Sequence, residues 1–308
     1  IPVAGKPEIR VILKEDTETL EEVVVVGYGV QKKSVVTASI AKVSSDDLAA
    51  TAPVRMDNAL KGLAAGVTVT SSSGQPGAAA QIRVRGIGTI NNSDPLYIVD
   101  GMPIEGGLDY LNPNDIQSIE VLKDAASGAV YGARAANGVI LVTTKTGKLG
   151  KTKVTYDFSY GWQSAWKHRD VLNATEYALM INEGLVNAGM APIYNDPYSY
   201  GEGTDWQNEV FNDNAPVMNH QISVSGASEK VSYLLSAGYY TQDGIVGGNF
   251  GRSNYERLTL RSNNTYTIFD ESKNRNWLNS FKITSNLSYA RIKSTSIDAN
   301  STWGSPLG

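Results

Sequence analysis

Two hydrophobic patterns divide the chain near residue 150. Before it, apolar residues come in short runs broken by Gly, Asn and Pro; after it, they alternate with polar residues over long stretches. Val154, Tyr156, Phe158, Tyr160 and Trp162 are apolar, while Lys153, Thr155, Asp157 and Ser159 are polar. The same period of two runs through Ile222–Val224, Val231–Tyr239, Leu258–Tyr266 and Phe281–Tyr289. A strand with that period is apolar on one face only. Five strands of about 9–11 residues are predicted, longer than the soluble mode of roughly 5–6 and matched to a tilted bilayer-spanning strand. Their polar faces carry charges, as a water-facing lumen would, and several apolar faces carry aromatics near their ends, as an interfacial girdle would. A soluble antiparallel sandwich alternates too, so the strand pattern alone leaves both architectures open.

The earlier half reads as a compact α+β unit of short elements. Asp57 to Ala65 is predicted to be a short helix, with Asp57 as N-cap and Gly66 as its stop. Val67–Thr70, Gln81–Arg85, Leu96–Val99, Ile119–Leu122 and Val139–Thr144 read as strands. Asn112–Ile116 opens a short helix, and Ala125–Tyr131 is a helix stopped by Gly132. Asp100-Gly101 and Asn137-Gly138 are turn signals. Upstream, Glu21-Glu22 precede four valines, Val23 to Val26, and glycines follow. That segment reads either as a buried core strand or as an extended strand that lends its backbone to a partner's sheet edge.

Composition narrows the function classes. The 308 residues carry a net charge of −4, which gives no basic excess for nucleic acid. There is no Cys, and the two His residues make a multi-histidine zinc site a poor expectation. No apolar run reaches the roughly 18 residues of a transmembrane helix. No cofactor, metal or catalytic set is expected. Ser39-Ile40-Ala41-Lys42, Tyr110-Leu111-Asn112 and Lys145-Thr146-Gly147 mimic the three motifs of penicillin-binding proteins. Ser39, however, lies in a Ser/Asp-rich linker rather than at the start of a core helix.

Several segments, in order, resemble the SusC/RagA-type TonB-linked outer membrane proteins of Bacteroidetes. Glu22-Val23-Val24-Val25-Val26-Gly27-Tyr28-Gly29 is similar to that family's TonB box. Ile82-Arg83-Val84-Arg85-Gly86 with Pro95 to Gly101 is similar to the core of its plug domain. Asn114 to Ala125, leading into Tyr131 to Ile140, resembles the end of the plug and is the most specific match. Leu172-Asn173-Ala174-Thr175-Glu176-Tyr177 also resembles the family.

The resemblance implies an α+β plug domain followed by antiparallel transmembrane β-barrel strands, in a family whose barrel has 22 strands. Residues 1–20 would be the tail of an N-terminal extension, 21–30 the TonB box, 31–45 a linker, 46–150 the plug, and 151–308 the first five or so barrel strands with their loops. Five antiparallel strands cannot close, and an open edge in lipid leaves backbone groups unpaired. The sequence is therefore expected to be a fragment of a longer chain.

The implied function is TonB-dependent import of oligosaccharides or oligopeptides across the bacterial outer membrane. The implied partners are TonB with its inner-membrane motor, a SusD-like surface lipoprotein, the cargo and outer-membrane lipid. A siderophore or vitamin receptor and a soluble glycan-binding β-domain are the alternatives. Glu22, Val23, Val24, Val25, Val26 and Gly27 would bind TonB. Arg83, Arg85 and Arg134 are expected to form salt bridges to the barrel's inner wall. Asn91, Asn92, Asp94, Asp109 and Tyr110 are candidate cargo contacts, because amide, carboxylate and aromatic groups suit sugars or peptides. Trp166, Tyr194, Tyr198, Tyr200 and Trp206, in the first long loop, offer rings for stacking or for loop packing.

Overall fold

The computed structural model describes residues 23–26, 29–32, 40–51, 55–71, 73–89, 92–124, 128–269 and 280–298. Fourteen strands are present among them. β1 (Val23–Val26) and β2 (Gly29–Lys32) form a separate antiparallel pair. The N-terminal unit holds β3 (Ile40–Ser44), β4 (Val67–Ser71), β5 (Ala80–Val84), β6 (Leu96–Val99), β7 (Met102–Ile104), β8 (Ile116–Leu122) and β9 (Val139–Thr144). Its main sheet has the order β3-β8-β9-β6-β7, and β4-β5 is a two-stranded ribbon.

The central strands of that sheet are apolar without alternation because both of their faces are covered. On one side Ile119, Val121, Ile140, Val142 and Val99 pack with Met56, Leu60, Ile82, Leu108 and Leu111. On the other, Leu96, Ile98, Leu122, Val139 and Leu141 form a smaller core. Burying each such side chain contributes about 1.5–3 kcal/mol, which is what lets strands this short persist. β6 and β7 are joined by Asp100 and Gly101, whose φ angles of +48° and +84° make a two-residue turn of the primed kind.

Asp57 is not an N-cap. The helix is only Met56–Ala59, and Asp57 lies in its first turn, buried with Arg55. Its carboxylate accepts from Arg55 Nε and Nη2 at 3.0–3.1 Å, from Asn58 N at 3.0 Å and from Ala80 N at 2.9 Å. Neutralising a buried arginine takes precedence over capping. Gly132 likewise does not stop a helix. It kinks a 3-10 segment, Ala129–Ala135, with φ of +67°. Residues 125–127, the expected start of that helix, lie outside the described residues.

The second half is one antiparallel sheet, in the order β10 (Gly150–Gln163), β11 (Ala215–Ala227), β12 (Val231–Asp243), β13 (Asn254–Phe269), β14 (Phe281–Thr295). All five expected strands are present, but each is longer than expected, at 13–16 residues. At about 3.3 Å per residue they run on the order of 43–53 Å, more than the tilted path through a roughly 25 Å apolar band requires. The connection between β10 and β11 also holds structure of which the alternation gives no sign: a helix, Ala174–Asn187, started by a capping box between Asn173 and Glu176. No helix among the described residues is long and apolar enough to cross a membrane, which says nothing about strands.

Candidate functional site

The two faces of the large sheet differ in kind. One presents Val154, Tyr156, Phe158, Tyr160 and Trp162 of β10, with Ile222, Leu235, Leu260, Tyr266, Leu287 and Tyr289, all large and exposed. Rings stand near both strand ends, Tyr160 and Trp162 at one, Phe269 and Phe281 at the other, where a bilayer's interfaces would lie. The other face is polar and covered by the N-terminal unit. Gln221, Ser236, Arg257, Thr259, Arg261 and Asn263 are all buried there. Burial of polar side chains beneath a separate unit, with apolar rings left bare, inverts a soluble sandwich. It is the arrangement of a wall with lipid outside and a filled lumen inside.

The contact between the two units is a polar network. The backbone fold of the β6–β7 turn holds the Asp100 carboxylate outward, where it accepts from Thr144 N at 2.9 Å and Thr144 Oγ1 at 2.8 Å. Arg261 Nη2 of β13 donates to the same carboxylate and to Thr144 Oγ1 at 2.8 Å. Asn263 Nδ2 adds bonds to Thr144 Oγ1 at 2.9 Å and Lys145 O at 3.0 Å. A second anchor is Asp115, which ends the Asn112-capped 3-10 turn Pro113–Asp115 and accepts from Gln221 Nε2 at 2.7 Å. Burial pushes the Asp115 carboxyl above the ordinary aspartate range. Hydrogen bonds from Ser236 and Gln221 and the charges of Arg261 and Lys145 oppose that rise.

Two glycines make the close approach possible. Gly77 lies under the Tyr255 ring, where a Cβ would sit 2.0 Å from the nearest ring carbon. Gly147 packs against the paired backbones of β11 and β12, where a Cβ would lie 2.2 Å from Gly226 O.

The sequence-derived candidates fall in different places. Val23–Val26 is extended, as expected, and pairs with β2; Glu22 and Gly27 lie outside the described residues. Arg83 pairs with Asp94 at 2.7 Å and Arg134 with Glu105 at 3.3 Å, so both ion pairs are internal to the N-terminal unit rather than directed at the large sheet. Arg85 is exposed, with φ of +58°. The ion pair that does cross to the sheet, Asp100–Arg261, has its acid and base the other way round: the plug supplies the carboxylate and the wall the guanidinium.

Among the candidate cargo contacts, Asn91 lies outside the described residues. Asn92 is exposed and caps its own turn, accepting from Asp94 N at 2.8 Å. Asp109 is half-buried, and its carbonyl accepts from Arg257 Nη1 at 3.4 Å. Tyr110 packs on the core, and burial raises its hydroxyl pKa. In the first long loop, Trp166, Tyr198, Tyr200 and Trp206 are exposed, and Tyr194 meets Tyr200 edge-on.

Residues 32–139 match the TonB-dependent Receptor Plug Domain family. The chain is 42% identical over 280 residues to TonB-dependent receptor P26 of Formosa agariphila, covering 89% of this chain and 28% of the relative. It is 38% identical over 284 residues to TonB-dependent receptor SusC of Bacteroides thetaiotaomicron, covering 88% of this chain and 27% of the relative. Among solved structures it resembles the RagAB peptide importer in its closed-closed state. That match has a TM-score of 0.71 and 31% identity, and covers 88% of this chain and 32% of that one. This chain thus spans between a quarter and a third of the length of these relatives. With a plug fastened to the polar face of a sheet whose other face is apolar, and with those likenesses across most of its length, the chain belongs to the SusC/RagA-type TonB-dependent receptors of the outer membrane.

Proposed function

We propose that this chain supplies the TonB-contact strand, the plug and the first wall strands of an importer for nutrient oligomers, glycans or peptides. The importer would work across the outer membrane with a SusD-like surface lipoprotein. The observation that carries the reading is the double anchorage of the plug, through Asp100 and Asp115, to a wall that is apolar outside. A plug held this way closes the lumen at rest, so passage of a large solute needs work done on the plug. The outer membrane has no nucleotide supply, and that work would come from the inner membrane through TonB.

Val23–Val26 suits the TonB contact, with Glu22 and Gly27 flanking it. The β1–β2 pair is a two-stranded sheet, marginal in water by itself, and pairing with β2 uses one edge of β1. The valine strand can add to a partner's sheet edge through its backbone, with side-chain identity secondary. Asn91, Asn92, Asp94, Asp109 and Tyr110, together with the exposed rings of the first long loop, are the proposed cargo contacts. Similarity to the RagAB peptide importer supports peptide cargo, and glycan cargo rests on the family resemblance alone.

Deleting Val23–Val26 tests the reading. Uptake of the cognate oligomer is expected to stop while binding at the cell surface persists. Unchanged growth on that nutrient would overturn it.

A further inference from the structure

The β1–β2 pair is a sheet by itself. Its register sets Val26 opposite Gly29, Val25 opposite Val30, Val24 opposite Gln31 and Val23 opposite Lys32. Two residues separate Val26 from Gly29, so these two close a two-residue hairpin and exchange N–H···O bonds. From that pair the ladder alternates, and Val24 and Gln31 exchange bonds as well. Val23 and Val25 turn their N–H and C=O groups to the opposite edge of β1. No strand pairs with that edge among the described residues.

The hairpin has a second open edge, the outer side of β2, and residue types decide between the two. Four valines favour extended backbone. β2 begins with Gly29, a type that weakens strands, and ends with Lys32, a type that guards open edges. A lone strand of four residues must also be ordered before it can pair, and ordering the backbone opposes the pairing. β2 removes part of that penalty by holding Val23–Val26 extended beforehand. A two-stranded hairpin is marginal in water, and a third strand stabilises it.

We propose that β2 is a supporting strand for the TonB contact: TonB adds to the open edge of β1, at the N–H and C=O groups of Val23 and Val25, while β2 stays paired on the other side. TonB as the partner rests on the import reading above; which edge of β1 is open does not. A latch that TonB displaces would instead free the N–H groups of Val24 and Val26. In the supporting arrangement all four valine N–H groups are bonded at once and three strands replace two. The coupling is reciprocal: the hairpin that tightens TonB binding is itself stabilised by TonB.

The test titrates purified TonB into the receptor as its gene encodes it, held in lipid nanodiscs. Gln31→Pro removes the β2 donor to Val24 and leaves β1 untouched. Val30→Pro, one residue away, removes a donor that faces away from β1, and a proline is tolerated at such an edge. Gln31→Pro is expected to weaken TonB binding by on the order of tenfold, about the weight of ordering one residue. Val30→Pro is expected to bind as the parent does. Val25→Pro keeps the hairpin, removes the donor at the open edge, and is expected to weaken binding at least as much as Gln31→Pro. Tighter binding by Gln31→Pro would make β2 a latch and overturn the proposal. Equal binding by Gln31→Pro and Val30→Pro, or parent-level binding by Val25→Pro, would overturn it too. Deleting Val23–Val26 separates the two readings. Lost binding in the deletion with unaltered binding in Gln31→Pro and Val25→Pro would refute the proposal alone. Parent-level binding in the deletion would refute the TonB contact itself.

Discussion

The Asp100 carboxylate of the plug and the Arg261 guanidinium of the wall meet in a buried ion pair across 161 residues of sequence. The side chains are 15% and 5% exposed. Thr144 completes the contact from the neighbouring plug strand, so one carboxylate ties β6, β9 and β13 together. The turn that presents Asp100 needs positive φ at both of its central residues, which Asp-Gly supplies. The positive φ at Asp100 is therefore a condition for seating the plug.

Removing one partner of a buried pair strands the other's charge, at about 3–5 kcal/mol. Asp100→Ala should therefore loosen the plug strongly, with Arg261 left uncompensated. Arg261→Met, which removes the wall's charge and keeps its bulk, should loosen it less than Arg261→Ala. Amide exchange at Val99–Met102 and entry of an antibiotic too large for ordinary porins measure the effect. Protection equal to the parent's in Asp100→Ala would show that the pair does not seat the plug.

Gly147 predicts a sharper failure. An added Cβ would strike the backbone oxygens of Gly226 and Tyr233 at 2.2 and 2.5 Å, and neither can swing aside as a side chain could. Gly147→Ala should prevent the plug tail from packing onto the paired strands, cutting the yield of folded receptor on heat-modifiability gels. Gly161→Ala, also in the β10 region but with nothing within 4 Å of its Cβ, is the control and should fold normally.

Asp115 makes the plug's second anchor pH-sensitive in a defined direction. Burial raises its pKa in the folded state above the ordinary value of 3.8, so the folded state binds the proton more tightly than the unfolded one. Its contribution is then most favourable below the unfolded pKa and is lost as pH rises through the raised, folded value. Amide protection factors across Asp115–Ser118, taken against the intrinsic exchange rate at each pH, should rise on acidification in that window. Asp115→Asn, a neutral mimic of the protonated form, should flatten the dependence. A parent protection factor that falls on acidification would contradict the assignment.

The five wall strands are legible in the sequence because a period of two sustained over many residues fits little except a strand with one apolar face. The central plug strands are legible because Leu96–Val99 and Val139–Val142 are apolar runs bounded by turns. The features that fasten the two units are not. In the sequence Asp100 is only a turn residue, and Arg261 only one polar position in an alternating strand. Nothing local links positions so far apart in the chain. Asp57 mimics a cap because an acidic residue before an apolar helix satisfies the N-cap pattern, whereas the buried Arg55 two residues earlier makes the stronger demand. The helix Ala174–Asn187 does carry a readable sign, the Asn173–Glu176 capping box, inside a long connection between strands.

Strand addition makes a prediction that distinguishes backbone from side-chain recognition at the proposed TonB contact. Neighbouring residues of a β-strand direct their N–H groups to opposite edges, so Val24 and Val25 between them donate to both sides of β1. Proline at both positions removes one donor from each edge and should abolish energised uptake, whichever edge TonB takes. Alanine at both keeps every backbone donor and should retain most of the uptake, losing only β-propensity, on the order of 1 kcal/mol across the scale. Initial uptake rates of the cognate oligomer, normalised to receptor at the surface, provide the comparison. Equal loss in the alanine and proline pairs would mean that the valine side chains, rather than the main chain, carry the recognition.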